Sequence, residues 1–185
     1  DAGADLAPEQ KACMSDLQSE LAKVTQKFSE NVLDSTNAFE LVIDGESRLA
    51  GLPDTAKAGA LADAISKKLA TDEDPKWRFT LQHPSMFPVF QYADDDDLRR
   101  ELYEGSSSIG RSGDYDNSEL VWKIIGLRQE KAALLGFANF ADLTLQRRMA
   151  RDGASAPKFV DALPHPLQVA ALRSRVWGNG VGPGG

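Results

Sequence analysis

Three kinds of residue in this chain could do chemistry: two histidines, one cysteine and a few clustered acids. A zinc hydrolase centre of the H-E-x-x-H type needs two histidines one helical turn apart with a glutamate between them. The two histidines here are His83 and His165, each followed by proline, and no such spacing occurs in the 185 residues. His83, between Gln82 and Pro84, is a hydrogen-bonding residue at a strand end rather than a metal ligand. Asp94-Asp95-Asp96-Asp97, Asp114, Asp116 and Glu119 are the acidic clusters near loops, where a pair of carboxylates could work by general acid–base catalysis. Calcium would need oxygens at spaced loop positions, and consecutive aspartates point in different directions, so the run reads first as a solvated helix N-terminus. No residue is assigned a catalytic, metal-binding or cofactor-binding role.

Several short motifs resemble sites only in their letters. Gly105-Ser106-Ser107-Ser108-Ile109-Gly110-Arg111-Ser112 approaches a phosphate-binding loop, but that loop must follow a buried strand and open a helix. Here it follows the helical pattern Leu98 to Glu104 and reads as a flexible connection. Ser155-Ala156-Pro157-Lys158 spells S-x-x-K, which needs a helix to bring lysine beside serine; Pro157 argues against one. Gly178, Gly180 and Gly182 precede no helix, so they form no dinucleotide loop. Cys13 beside an apolar helix stripe reads as a half-buried small hydrophobe.

The elements that would position these residues are mostly helical. Met14, Leu17, Leu21, Val24 and Phe28 recur at three-four spacing, which predicts a long amphipathic helix from about Pro8 to Ala38, with Glu9, Glu20 and Lys23 exposed. Phe39 to Ile43 has strand character, and Asp44-Gly45-Glu46 reads as a turn. A second helix opens at Leu52-Pro53-Asp54, with Ala60, Leu61, Ala64, Ile65 and Leu69 on its apolar face. Trp77, Phe79 and Leu81 alternate with Arg78 and Thr80, the period of a half-buried strand that could pair with Phe39 to Ile43. Pro84 and Pro88 bracket a short aromatic segment. Asp95 to Asp97 start a helix holding Leu98, Leu102 and Tyr103. Asp116 and Glu119 have capping-box spacing before a helix that ends at Gly136. Asn139 caps a last helix through Met149. The expected fold is mostly α, a helical bundle with at most a small two-stranded β element. Residues 1–163 read as one helical domain and 164–185 as an irregular Gly/Pro-rich tail that is a flexible or non-native terminus.

Composition narrows the class. Hydrophobic residues at 42% and charged residues at 26% are globular values. A net charge of −7 argues against nucleic acid or an anionic membrane as partner. A single cysteine cannot make an intramolecular disulfide and fits a reducing, cytoplasmic setting. No apolar run approaches the roughly 20 residues that span a bilayer. The chain starts at Asp1 without methionine, which implies an upstream segment removed or never included.

Trp77-Arg78-Phe79-Thr80-Leu81-Gln82-His83-Pro84-Ser85-Met86-Phe87-Pro88-Val89 resembles a signature segment of the thimet oligopeptidase and oligopeptidase A family of zinc metallopeptidases. Lys27 to Asp34, Leu49 to Pro53, Leu98 to Tyr103, Ile124 to Arg128, and Leu134 to Leu143 with Met149-Ala150 resemble further stretches of that family in the same order. The resemblance runs from about Leu6 to Ala162 and implies an almost wholly helical ellipsoid with a deep channel. It also implies zinc held by H-E-x-x-H and a downstream glutamate, all beyond the stretch this chain resembles. The chain would then be a wall portion of the N-terminal lobe of a peptidase for short peptides, with zinc in the full-length family and no cofactor of its own. Two other readings remain: a module whose exposed half-channel binds short peptides or a complementary C-terminal fragment, with uncovered apolar surface favouring self-association, and a stand-alone hydrolase using paired carboxylates.

Overall fold

In the computed structural model of the chain, described for residue 3, residues 5–150 and residues 152–162, the expected helical character holds. Seven α-helices and one two-stranded antiparallel sheet occur among the described residues. The expectation for the tail from residue 164, with His165 and Gly178 to Gly182, lies outside them. Two compact units form, one from residues up to 18 and from 126 on, the other from Ser19–Ile125.

The larger unit holds the sheet. Helix α1 (Pro8–Ala38) contains the three-four stripe and ends at the expected Ala38, ten residues beyond Phe28. Strand β1 (Leu41–Asp44) follows and pairs with β2 (Lys76–Phe79) in the register Leu41 to Phe79 and Ile43 to Trp77. A two-stranded sheet is marginal alone, so helices must cover it. Helix α2 (Asp54–Ser66) packs on β2, and α3 (His83–Tyr92) and α4 (Asp96–Ser107) add Val89, Leu98 and Leu102 to the buried cluster that holds the strand residues Ile43, Trp77 and Phe79. Phe79, Ile43, Leu49, Leu98, Leu102 and Val89 are fully buried in one cluster, each contributing about 1.5–3 kcal/mol by leaving water.

Several expectations need correction here. Arg78 does not alternate outward; the covering helix α2 leaves it only 9% exposed. His83 is the first residue of α3, not a strand end, and its ring stacks on Phe87 at 4.6 Å. Ile65 is exposed and Leu69 lies past the end of α2. Glu20 is half-buried beside Lys123, with which it pairs. The glycine-serine stretch is not wholly a connection, because α4 continues to Ser107. Gly105 is required there: a Cβ at this position would collide with the Phe39 ring. Gly110 has φ +66°, and its carbonyl accepts the Asn117 N–H at 2.9 Å.

Helix α5 (Ser118–Leu134) begins without the expected capping box. Asp116 Oδ1 accepts the N–H of Ser118 at 2.8 Å and its hydroxyl at 2.6 Å, rather than the N–H of Glu119. Asn117 turns inward, where its Oδ1 accepts from Asn31 Nδ2 at 2.9 Å and its Nδ2 donates to the Phe28 carbonyl at 3.2 Å. Both asparagines are buried.

In the smaller unit, Gly136 closes α5 as expected, at φ +81°, with the Phe137 N–H bonded to the Ala132 carbonyl at 2.9 Å. Asn139 caps α6 (Phe140–Leu145) by accepting the Asp142 N–H at 2.8 Å, and Arg128 lies over the Phe140 ring. The helix stops at Leu145, not Met149. Helix α7 (Ser155–Ala162) was not expected. Pro157 falls in its first turn, where a missing N–H costs nothing, and Asp152 accepts the Ser155 N–H at 2.7 Å. Cys13 is exposed, not half-buried, because its place on α1 falls beside the Met14–Leu17 stripe.

Candidate functional site

The acids singled out in the sequence are brought together mainly with bases and backbone donors. Asp95 is the N-cap of α4: its Oδ1 accepts the Leu98 N–H at 2.8 Å, and its Oδ2 accepts from Arg48 Nε at 3.0 Å. Arg48 reaches Glu101 through Nη2 at 2.9 Å, so one guanidinium joins two acids of the same helix. The Leu98 N–H and then Arg48 hold the Asp95 carboxyl below the usual carboxylate range. The Arg48 guanidinium is stabilised in turn by Asp95 and is raised from its ordinary value. Asp96 pairs with Arg99, and Asp97 with Arg100 at 2.8 Å. Asp94 is exposed, and its N–H donates to the Ala50 carbonyl at 2.9 Å.

Asp116 is likewise lowered, by the Ser118 hydroxyl and N–H. Asp114 and Glu119 are exposed. A general acid needs a raised pKa so that it carries its proton near neutrality. The shifts at Asp95 and Asp116 run the other way, toward lasting ionisation. Asp95 caps α4 and pairs with Arg48, and Asp116 bonds the first residue of α5; the paired-carboxylate chemistry finds no support in their geometry.

The feature that sequence reasoning missed is the buried guanidinium of Arg78. Its Nε donates to Glu40 at 3.0 Å and its Nη1 to Asp63 at 2.5 Å. Burial works against its charge, but the hydrogen bonds it donates to Glu40 and then Asp63 outweigh that and raise its pKa. Glu40 precedes β1 and Asp63 lies on α2, so the arginine ties both to β2. Beside it opens a cleft of about 670 Å³ whose lining includes Thr36, Thr55, Asp63, Lys67, Arg78 and Ser85. Its wall is more apolar than polar, with Ala56, Ala60, Phe79 and Pro84 also lining it, and one of its polar groups is already used, since Ser85 Oγ accepts the Thr80 N–H at 3.0 Å. The cleft can hydrogen-bond a ligand. No sequence signal distinguished Arg78, because an arginine between two core aromatics in a strand ordinarily faces water.

Zinc, implied by the family resemblance, can be tested against the donors. His83 is exposed and stacked on an aromatic ring, and among the described residues no three His, Cys, Asp or Glu side chains converge as a metal site. These residues do not fit a zinc centre. Ser155 and Lys158 share α7 one turn apart, yet both are exposed.

With this geometry in view, comparison with known proteins is informative. The profile described as Peptidase family M3 matches residues 89–174. "Organellar oligopeptidase A, chloroplastic/mitochondrial" from Arabidopsis thaliana is 40% identical over 150 residues, 80% of this chain and 19% of that protein. "Probable cytosolic oligopeptidase A" from the same plant is 41% identical over 136 residues, covering 72% and 19%. "Oligopeptidase A" of Haemophilus influenzae is 36% identical over 166 residues, covering 87% and 24%. The chain therefore spans no more than 24% of the length of these relatives. No helix among the described residues is long and apolar enough to cross a membrane.

Proposed function

The chain belongs to peptidase family M3, and on that premise we propose that it is a segment of a zinc-dependent oligopeptidase whose whole protein hydrolyses short peptides. In this reading the segment supplies scaffold, and the zinc ligands and water-activating glutamate come from sequence outside it. The observation that carries the proposal is the identity to oligopeptidases A, 36–41% in the three relatives above, along a stretch whose acids serve as caps and ion-pair partners. The alternative of a stand-alone carboxylate hydrolase would need two acids aimed at a common point with opposed pKa shifts. The downward shifts of Asp95 and Asp116 weigh against it. A cytoplasmic location is part of this reading, supported by the likeness to "Probable cytosolic oligopeptidase A".

Turnover of a quenched fluorescent peptide tests the proposal. The purified chain is expected to show none, with added zinc or with chelator. It should yield zinc-dependent turnover when co-expressed with the part of Haemophilus influenzae oligopeptidase A that it does not match. Chelator-insensitive turnover by the chain alone would overturn the reading.

A further inference from the structure

Helix α5 is apolar on two sides within the larger unit. Ile124 is only 8% exposed, with Leu120 half-buried, so one side meets the body of the unit. The other side carries Val121, Trp122 and Ile125, which are 40%, 73% and 50% exposed. Their spacing of three and four residues sets them on adjacent turns of one face. Lone exposed apolar residues are ordinary, but a grouped indole, isoleucine and valine on one helix form a patch. A helix that is apolar all round is normally covered on all sides. Helix α4 shows the contrast: Leu98 and Leu102 are wholly buried, while Asp97, Arg100 and Glu104 are exposed.

We propose that the Val121–Trp122–Ile125 face of α5 is the docking surface for the remaining polypeptide of an M3 oligopeptidase, which meets it with an apolar surface of its own. The inference rests on the segment reading above. The occupant follows from length: the relatives carry at least three quarters of their sequence outside the part this chain matches. The core of such a contact is apolar and aromatic, with tryptophan the commonest energetic anchor. Lys123 lies between Trp122 and Ile124 in sequence and pairs with Glu20, which keeps its charge off the patch.

The experiment measures binding of this chain to the unmatched remainder of Haemophilus influenzae oligopeptidase A, co-expressed and then separated for titration. The wild-type chain should bind, and Trp122→Glu should weaken binding by about thirtyfold or more. Ile125→Glu should do the same, and the thermal melt of each variant alone should match the wild type, since both positions are exposed. Binding unchanged by either substitution would overturn this surface and leave the segment reading intact. A wild-type chain that does not bind would overturn both. A wild-type chain that is dimeric alone and made monomeric by Trp122→Glu would assign the face to a second copy and overturn the proposed occupant.

Discussion

Helices α4 and α5 relate to their surroundings in opposite ways: α4 has two leucines, no isoleucine and six charged residues in 12, whereas α5 has three leucines, two isoleucines and five charged residues in 17. Leu98 and Leu102 of α4 point into a cluster with both strands, while Tyr103, expected beside them, is 64% exposed, and the outer side carries Asp97, Arg100 and Glu104 in ion pairs. The apolar residues of α5 are spread around the helix, with some buried and Trp122 almost bare. An element that has buried its aliphatic side chains is finished; one that has not is still waiting for a neighbour. The difference lies in composition and in the angular distribution of side chains, and it yields graded expectations.

The sharpest contrast is truncation. Leu102→Ala on α4 empties a fully buried site and should cost about 2–5 kcal/mol in a denaturant titration. Trp122→Ala on α5, though it removes more atoms, should change the chain's own stability by less than about 0.5 kcal/mol. Equal losses from the two would break the comparison. Next are the helix glycines. Gly105→Ala brings a methyl group into the Phe39 ring and should destabilise by about 1–3 kcal/mol despite alanine's higher propensity. Gly126→Ala on α5 meets nothing within 4 Å and should stabilise by roughly 0.5–1 kcal/mol. Thermal melts of both variants would show opposite signs.

The smallest expected effect concerns acid. Asp95 is lowered in the folded chain, so its charge stabilises the fold fully above its unfolded pKa near 4, and that contribution fades as pH falls through the folded value. Asn at position 95 can still cap, which isolates the charge. The gap in stability between wild type and Asp95→Asn should therefore be present at pH 7 and shrink below about pH 4. The same substitution at the fully exposed Asp116 should leave a smaller gap. A pH-independent gap at position 95 would mean that Arg48 contributes nothing through charge.

Local chemistry was legible in the sequence. The end of α1 at Ala38, the caps at Asp95 and Asn139, and the turn at Gly136 each depend on residues within a few positions of one another. The residues that escaped are those whose role is set by a distant partner. Gly105 looked like loop glycine because Phe39 is remote in sequence, and Arg78 looked solvent-facing because Glu40 lies 38 residues away. Pro157 was misjudged for another reason: its effect depends on where the helix starts, and Asp152 sets that start upstream. For the site, sequence placed Asp95 at the start of α4 but not its Arg48 partner, and it expected a capping box from Asp116 where the carboxylate bonds Ser118 instead. The cleft beside Arg78 was invisible, since α2, β2 and α3 all contribute to its lining.

The buried amide pair of Asn31 and Asn117 spans 86 residues of chain. On a ribosome adding about 5–20 residues per second, Asn31 emerges roughly 4–17 s before its partner has been made. During that interval the middle of α1 has an amide with nothing to bond but water and an apolar stripe with little to cover it. The pair can form only once the turn before α5 has been made.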